Sequence, residues 1–354
     1  MKKAALLLAA FVATASLIPF SQGEAWWIRG LDFPRAQILA LGLLALGLCL
    51  FFWGFRTWRA IALLTATVSA VVIQSAYIFP YTPMARKEVL AATEHKSESA
   101  ISLLVANVLM TNHRTDRLLR MIAERRPDVV LLLEPDAWWE EKLRVLEKDG
   151  YPFTIKEPLD NKYGMLLYSR LPLLDPEVKY LLRAEIPSMH TQIQLRSGRW
   201  IWFHGVHPEP PSPTEASSSL PRDAELLILG RKVKDNDLPS IVAGDLNDVA
   251  WSYTTKLFQK TSSLLDPRKG RGMYNTFHAK IPFTRWPLDH VFHSEHFLLG
   301  EMQRLPAFGS DHYPVYVRLV LKPGAATLQR APSADAEDAE TAEEKIDKGR
   351  GKQQ

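Results

Sequence analysis

Three apolar stretches near the N-terminus constrain this chain more than anything else in it. Ala4–Phe20, Ala36–Phe55 and Ala60–Pro80 run for 17, 20 and 21 residues without a charged side chain. A helix needs about 20 such residues to cross the hydrocarbon core of a bilayer, so residues 1–81 are predicted to form a membrane region of three spans. Trp26, Trp27, Trp53 and Trp58 stand at or near the ends of the runs, where amphipathic rings favour the membrane interface. Lys2 and Lys3 precede the first run, and Arg56 and Arg59 fill the gap before the third. Positive-inside bias keeps both pairs on the cytoplasmic side, so three crossings export everything after Pro80. Arg86-Lys87, just past the third run, goes against the bias. If Ala4–Phe20 is instead a cleaved signal peptide, two crossings remain and the same domain is exported. The runs hold no charge to mark a solute path, which makes transport a weak reading.

Residues 82–98 are polar and mixed in charge, and read as a linker or short helix. Residues 322–354 are rich in Ala, Glu, Asp and Lys with few large apolar side chains, and read as a disordered tail. The folded domain is therefore expected over 99–321. The single cysteine, Cys49, lies in the second apolar run, so this domain has no disulfide and depends on its core. The formal charge of +4 arises elsewhere, because Ala91–Leu321 holds 29 Lys and Arg against 29 Asp and Glu. A domain that grips long nucleic acid usually carries a net basic surface, and this one has no such excess.

Apolar runs predict strands at Ile101–Val108, Val129–Leu133, Met165–Tyr168, Leu288–Phe292 and His312–Leu321, and another within Pro239–Asn247. His190–Leu195 and Trp200–Gly205 read as a hairpin about Ser197-Gly198-Arg199. Helical patterns cover Asp116–Arg126, Ala137–Leu146, Ala224–Val233 and Trp251–Phe258. The alternation is not a clean βαβ series. It predicts an α/β fold of two mixed or antiparallel sheets packed together with helices outside, with a doubly wound parallel sheet as the alternative. No Gly-rich loop follows the first strand, and GxxxxGK[ST], GxSxG and HExxH are absent.

The polar residues at strand ends form the chemical signal. Asn107, Glu134, Asp245 with Asn247, Asp289 with His290, and Asp311 with His312 each terminate or precede an apolar strand, and His207 closes another. Period-two geometry would point Asp245 and Asn247 the same way. Carboxylates at buried strand ends need something to offset their desolvation. A hard cation such as Mg²⁺, or Mn²⁺ in its place, does so with oxygen ligands and substrate phosphate, and the absence of cysteine ligands speaks against structural zinc.

The pieces VANV (Val105–Val108), LLLEPD (Leu131–Asp136), YGMLLYSR (Tyr163–Arg170), GVHPEPP (Gly205–Pro211), AGDLND (Ala243–Asp248), PLDHVF (Pro287–Phe292) and GSDHYPV (Gly309–Val315) occur in that order. Together they resemble the endonuclease/exonuclease/phosphatase (DNase I-like) superfamily over about two-thirds of the chain. The membrane segment is similar to that of bacterial members anchored in the inner (cytoplasmic) membrane. The resemblance implies a four-layer α/β/β/α sandwich and metal-dependent phosphoester hydrolysis. By it, Asn107, Glu134 and Asp311 orient or ligate the metal, Asp245 positions or deprotonates the attacking water, and Asn247 contacts the scissile phosphate. His312 is the phosphate-contacting histidine held by Asp289, and His207 the histidine that protonates the leaving oxygen. Tyr163 reads as a packing residue, with phosphate contact as the alternative, and His204 and His290 read as structural.

Only 41 residues separate Asn247 from Asp289, which leaves little room for long DNA-gripping insertions. Within them, Arg268-Lys269-Gly270-Arg271 is expected either to meet a phosphate backbone or lipid headgroups or to be a solvated loop. Trp251 and Trp286 are expected near the cleft, able to stack on a base or sugar or to touch lipid. The favoured reading is a membrane-anchored phosphodiesterase or phosphatase acting outside the cytoplasm on a small or membrane-borne phosphoester, with the phospholipid bilayer as its other partner. The alternatives are an extracytoplasmic nuclease and a non-catalytic scaffold of the same fold. Oligomeric state is not legible.

Overall fold

The computed structural model describes residues 1–93 and 97–351, in two units. The first comprises Met1–Arg86, Pro211–Ser219 and Gly270–Gly272, and the second comprises the remaining residues. The first unit contains α1 (Lys2–Leu17), the short α2 (Trp26–Gly30), α3 (Arg35–Phe52) and α4 (Trp58–Ile78). Its three long helices are each long and apolar enough to cross a membrane. Ala9 meets Ala45, Cys49 and Leu64, while Val12 and Ala15 meet Ile38 and Ala70. These pairings make the helices alternate in direction, and small residues let them approach closely. Leu7, Phe11, Leu43, Leu44, Phe51 and Val72 face outward. Thr57 caps α4 by accepting the Ala60 N–H at 3.2 Å.

A polar cluster joins Asp32 and Arg35, just before the second apolar run, to polar side chains within the first and third. The buried Arg35 guanidinium is bonded to Asp32, donates to Gln74 Oε1 at 3.3 Å and lies 3.7 Å over the Tyr77 ring. Gln74 in turn donates to Ser16 Oγ at 2.9 Å, so one cation ties three segments together.

The second unit runs β1 (Ala100–Asn107), α5 (Thr115–Arg125), β2 (Val129–Leu133), α6 (Ala137–Leu143), α7 (Val145–Lys148), β3 (Phe153–Glu157), β4 (Met165–Ser169), β5 (Leu173–Lys179), β6 (Ser188–Gln194), β7 (Trp200–Val206), α8 (Leu220–Lys234), β8 (Ser240–Asp245), α9 (Tyr253–Ser262), β9 (Asp289–His293), β10 (Phe297–Arg304), β11 (Val315–Leu321), α10 (Ala325–Leu328) and α11 (Ala336–Gly351). It forms a six-stranded sheet, β10-β11-β1-β2-β4-β3, and a five-stranded sheet, β5-β6-β7-β8-β9. In both, one central pair is parallel (β1 with β2, β7 with β8) and the other pairs are antiparallel.

Strand periodicity then sorts the side chains. Leu103, Val105 and Leu131 of one sheet meet Ile201, Phe203 and Ile241 of the other in a shared core. Their neighbours Leu104, Val130 and Leu132 turn out against Leu118, Ile122 and Trp139 of α5 and α6. Val206, Val242 and Phe292 turn out against Leu226 and Leu229 of α8 and Phe258 of α9. The result is the α/β/β/α sandwich, and two separate sheets exclude the doubly wound alternative.

Two expectations need correction. The tail is not disordered throughout, because α11 packs Ala342 and Ile346 against Leu227 of α8 and Leu257 of α9, and Lys260 binds Asp338 at 2.7 Å. A low apolar content sufficed because two small apolar positions fit a ready groove and ion pairs hold the rest. Nor is 82–98 wholly a linker. Val89 is fully buried in the shared core, and the Ala92 N–H donates to the Leu299 carbonyl at 2.8 Å. Residues 94–96 of that stretch and 352–354 of the tail lie outside the described residues.

Candidate active site

The strand topology gathers the polar ends. β1 and β2 are parallel and end at Asn107 and Leu133, directly before Glu134. β8 ends at Asp245 opposite Asp289, the first residue of the antiparallel β9. The loop entering β11 supplies Asp311 and His312, and His207 follows β7.

Asn107 joins the groups. Its amide donates to Glu134 Oε1 at 2.7 Å and to Asp245 Oδ2 at 3.3 Å, while its own oxygen accepts the Leu109 N–H at 3.0 Å. Its backbone carbonyl accepts Ser310 Oγ at 2.7 Å, and Ser310 Oγ accepts the His312 N–H at 3.0 Å, so Ser310 anchors the Asp311-His312 loop to β1. His312 Nδ1 donates to Asp289 Oδ2 at 2.7 Å, which fixes the tautomer, and its Nε2 stands 3.5 Å from Asp245 Oδ2. His207 Nε2 is 3.9 Å from the same oxygen. Tyr163 packs beside His207, with ring centroids 5.5 Å apart.

Asp245 and Asn247 are brought together by a mechanism different from the expected one. Strand alternation stops at Asp245, and Asn247 takes a left-handed φ of 50°. Its N–H donates to Asp245 Oδ1 at 2.9 Å, a side-chain turn of the kind Asp favours. The Asn247 amide then donates to the Pro208 carbonyl at 2.9 Å, tying this turn to the His207 loop. Gly244 precedes the turn because a Cβ there would lie 1.9 Å from the Val206 carbonyl oxygen of the adjoining strand.

Burial dominates the electrostatics. It pushes the Asp245 carboxyl up to about 7 against the pull of His312, and Glu134 up to about 7 against the hydrogen bond from Asn107. Burial alone would lower His312, but Asp289 and Asp245 override it and raise the imidazole to about 10. Burial and the nearby His312 cation push His207 down to about 3, which leaves it neutral.

The carboxylates suit a divalent cation. Asp245, Asp289 and His312 bring one oxygen or nitrogen each to within 4.8 Å of one another, but the protonated His312 has no lone pair to give, so the ligands on offer are oxygens. Asp289 Oδ1 is buried without a hydrogen-bond partner, an orphaned anionic oxygen of the sort a cation satisfies. Glu134, Asn107 and Asp311 add oxygen donors beside this cluster, in keeping with a hard ion.

The expectations for Arg268-Lys269 and Trp251 fail here, whereas Trp286 lies beside the site and His290 and His204 are structural as expected. Arg268 is buried, bound to Asp266 Oδ2 at 2.8 Å and His290 Nδ1 at 2.6 Å, and Lys269 is paired with Glu88 at 2.8 Å. Neither is available to a phosphate backbone or a headgroup. Trp251 is buried, which excludes stacking on a ligand, and Trp286 is half-buried against Phe277. His290 and His204 lie inside the fold, bonded respectively to the Asp248 carbonyl at 2.9 Å and to His190 at 2.8 Å. Sequence reasoning missed Phe277, whose ring lies 4.9 Å from that of His312. It missed Thr276, whose Oγ1 accepts the Asp289 N–H at 3.2 Å. It also missed Arg222, whose guanidinium donates to the Asn247 carbonyl at 2.8 Å. No local pattern marks any of the three.

Comparison with known proteins agrees with this geometry. The model of the Endonuclease/Exonuclease/phosphatase family matches residues 104–312, more than half of the sequence, and the chain belongs to that family. No curated protein matches it significantly. Among solved structures, the human Nocturnin catalytic domain with bound sulfate aligns at TM-score 0.53 and 17% identity, covering 69% of this chain and 99% of that one. D. rerio TDP2 complexed with single strand DNA product aligns at 0.52 and 19%, covering 62% and 99%. An endonuclease/exonuclease/phosphatase from Beutenbergia cavernae aligns at 0.52 and 18%, covering 63% and 72%. At such identities these likenesses speak to the fold alone.

Proposed function

We propose that this protein is a membrane-anchored, Mg²⁺- or Mn²⁺-dependent phosphoester hydrolase whose substrate is a small or membrane-borne phosphodiester or monoester. The observation that carries the reading is the buried Asp245–His312–Asp289 cluster joined through Asn107 to Glu134. Glu134, oriented by the Asn107 amide, and Asp311, beside Ser310, would hold the cation. When bound, it would supply Lewis-acid polarisation of the phosphate and neutralise developing charge. Asp245 positions the attacking water and takes its proton. Asp289 keeps the Nδ1 proton of His312, so Nε2–H faces the phosphate as a charged donor that stabilises the transition state. Asn247 orients the phosphate from the turn it shares with Asp245. His207, neutral in the free site, serves as a hydrogen-bond donor until an anionic phosphate beside it raises its pKa and lets it protonate the leaving oxygen. The neutral domain charge and the commitment of Arg268 and Lys269 to buried partners favour this substrate class over long duplex DNA.

The test is hydrolysis by the detergent-solubilised full chain of an activated phosphodiester, phospholipids, sugar phosphates, plasmid and single-stranded nucleic acid. Turnover of the small or lipid esters with Mg²⁺ or Mn²⁺, stopped by chelator, is expected. Glu134→Gln removes one anionic ligand and should raise the metal concentration for half-maximal rate roughly tenfold or more. An unchanged metal titration would remove Glu134 from the site. Fast, steeply salt-dependent nucleic-acid cleavage with no turnover of the other substrates would replace this reading with a nuclease.

A further inference from the structure

Beside His312 a finger of chain, residues 276–286, projects from the catalytic unit. Its base is pinned at both sides. Phe277 pairs with Trp286 and with His312, the Ala279 N–H donates to the Asp311 carbonyl at 2.6 Å, and the Tyr313 N–H donates to the Thr276 carbonyl at 3.0 Å. The tip is the opposite in character. Phe283 is 84% exposed and Ile281 47% exposed, with Pro282 exposed between them. No other large apolar side chain among the described residues of the catalytic unit is as exposed as Phe283. Apolar surface held in water beside an active site marks an interaction site when charged groups frame it.

Cations stand along the finger. Lys280 is exposed at the tip next to Ile281, and at the base Arg285 and Arg304 flank the Tyr313 ring at 5.3 and 4.4 Å. Arg285 donates to the carbonyls of His278 and Ala279 at 3.4 and 3.2 Å, and Arg304 to that of Asn275 at 2.9 Å. None of the three forms an ion pair with a carboxylate among the described residues. Apolar side chains accompanied by cations that no carboxylate neutralises match the layering of an anionic bilayer surface, with phosphates above and acyl chains below. Three membrane-crossing helices in the same chain keep a bilayer at high effective concentration.

We propose that the 276–286 finger inserts into the headgroup layer of an anionic phospholipid bilayer. Ile281 and Phe283 enter the acyl boundary, and Lys280, Arg285 and Arg304 meet headgroup phosphates. The consequence for substrate choice rests on the hydrolase reading above: a lipid phosphoester gathered at this finger is delivered next to His312.

The experiment uses the full chain carrying Cys49→Ser and Phe283→Cys, labelled with an environment-sensitive fluorophore. It is reconstituted into vesicles of phosphatidylcholine with phosphatidylglycerol, or of phosphatidylcholine alone. In the anionic vesicles the emission should shift to the blue, lose intensity to lipids carrying a nitroxide just below the headgroup, and resist an aqueous quencher. Adding Lys280→Gln and Arg304→Gln should reverse the shift. A label at Ile281→Cys gives a second, independent position. Water-like emission from both positions in anionic vesicles would overturn the proposal, and equal insertion in phosphatidylcholine alone would overturn the role of the cations. The readout is not catalysis, so a label seated in lipid on a chain that hydrolyses no phosphoester would sink the hydrolase reading and leave the finger standing.

Discussion

At the scale of single residues, polar groups at the ends of apolar strands were the legible signal. Glu134, Asp245, Asp289 and His312 stood out because a buried strand has no ordinary reason to finish on a charge. Arg222, Thr276 and Phe277 did not, since a helix or loop tolerates such residues anywhere and only their partners give them meaning. The basic pair Arg268-Lys269 misled for the same reason: Glu88, which neutralises Lys269, is far away in sequence. Glu225 is another residue that only burial makes unusual. It is buried on α8, one carboxyl oxygen lacks a hydrogen-bond partner, and burial with the nearby Glu209 charge pushes it up to about 8. An acid whose folded pKa lies above its unfolded value of 4.5 is kept protonated by folding. Its contribution is therefore most favourable below pH 4.5 and is lost as pH rises from there through about 8. Glu225→Gln should remove that loss and stabilise the protein at pH 7 by at most about 3 kcal/mol, with little effect near pH 4. Denaturant midpoints of the two proteins across this range check it, and a gain that does not grow with pH would refute the assignment.

At the scale of elements, the central strands and the wholly buried edge strand β9 were read correctly, and the other three edge strands were missed. β1, β2 and β8 are covered on both faces and spell continuous apolar runs. By contrast β3, β5 and β10 all lie at sheet edges, half solvated, and their mixed sequences carry no period. Asp175-Pro176 even interrupts β5 at a bulge, where an edge tolerates proline. The helix α11 was missed because most of its stabilising contacts are polar. Lys345 donates to Asp223 Oδ2 at 2.9 Å in a buried site, and Asp223 also accepts Arg222, which holds the Asn247 carbonyl. Lys345→Met should thus cost about 2 kcal/mol, since it leaves a buried carboxylate with one cation fewer. A denaturant midpoint equal to that of the parent chain would show that α11 contributes nothing through this contact.

At the scale of the whole molecule, the membrane region and the catalytic domain rest on different physics. Antiparallel packing of α1, α3 and α4 puts Lys2-Lys3 and Arg56/Arg59 at one end of the bundle and residue 81 at the other. We predict an extracytoplasmic catalytic domain in a bacterial inner membrane, so a reporter that fluoresces only in the cytoplasm, fused beyond α11, should stay dark. Bright cells would invert the topology. Hydropathy alone determined the three spans, because burying 17 to 21 consecutive apolar residues in lipid needs no partner from elsewhere in the chain. The same holds for the central strands and for the polar residues at their ends. The tertiary structure alone decided which of those ends meet, through parallel and antiparallel pairings that no local pattern encodes. It also decided which cations are already neutralised, and which apolar side chains, Phe283 above all, are left facing water. Those outcomes depend on contacts between residues distant in sequence, and a contact of that kind leaves no local trace in either partner.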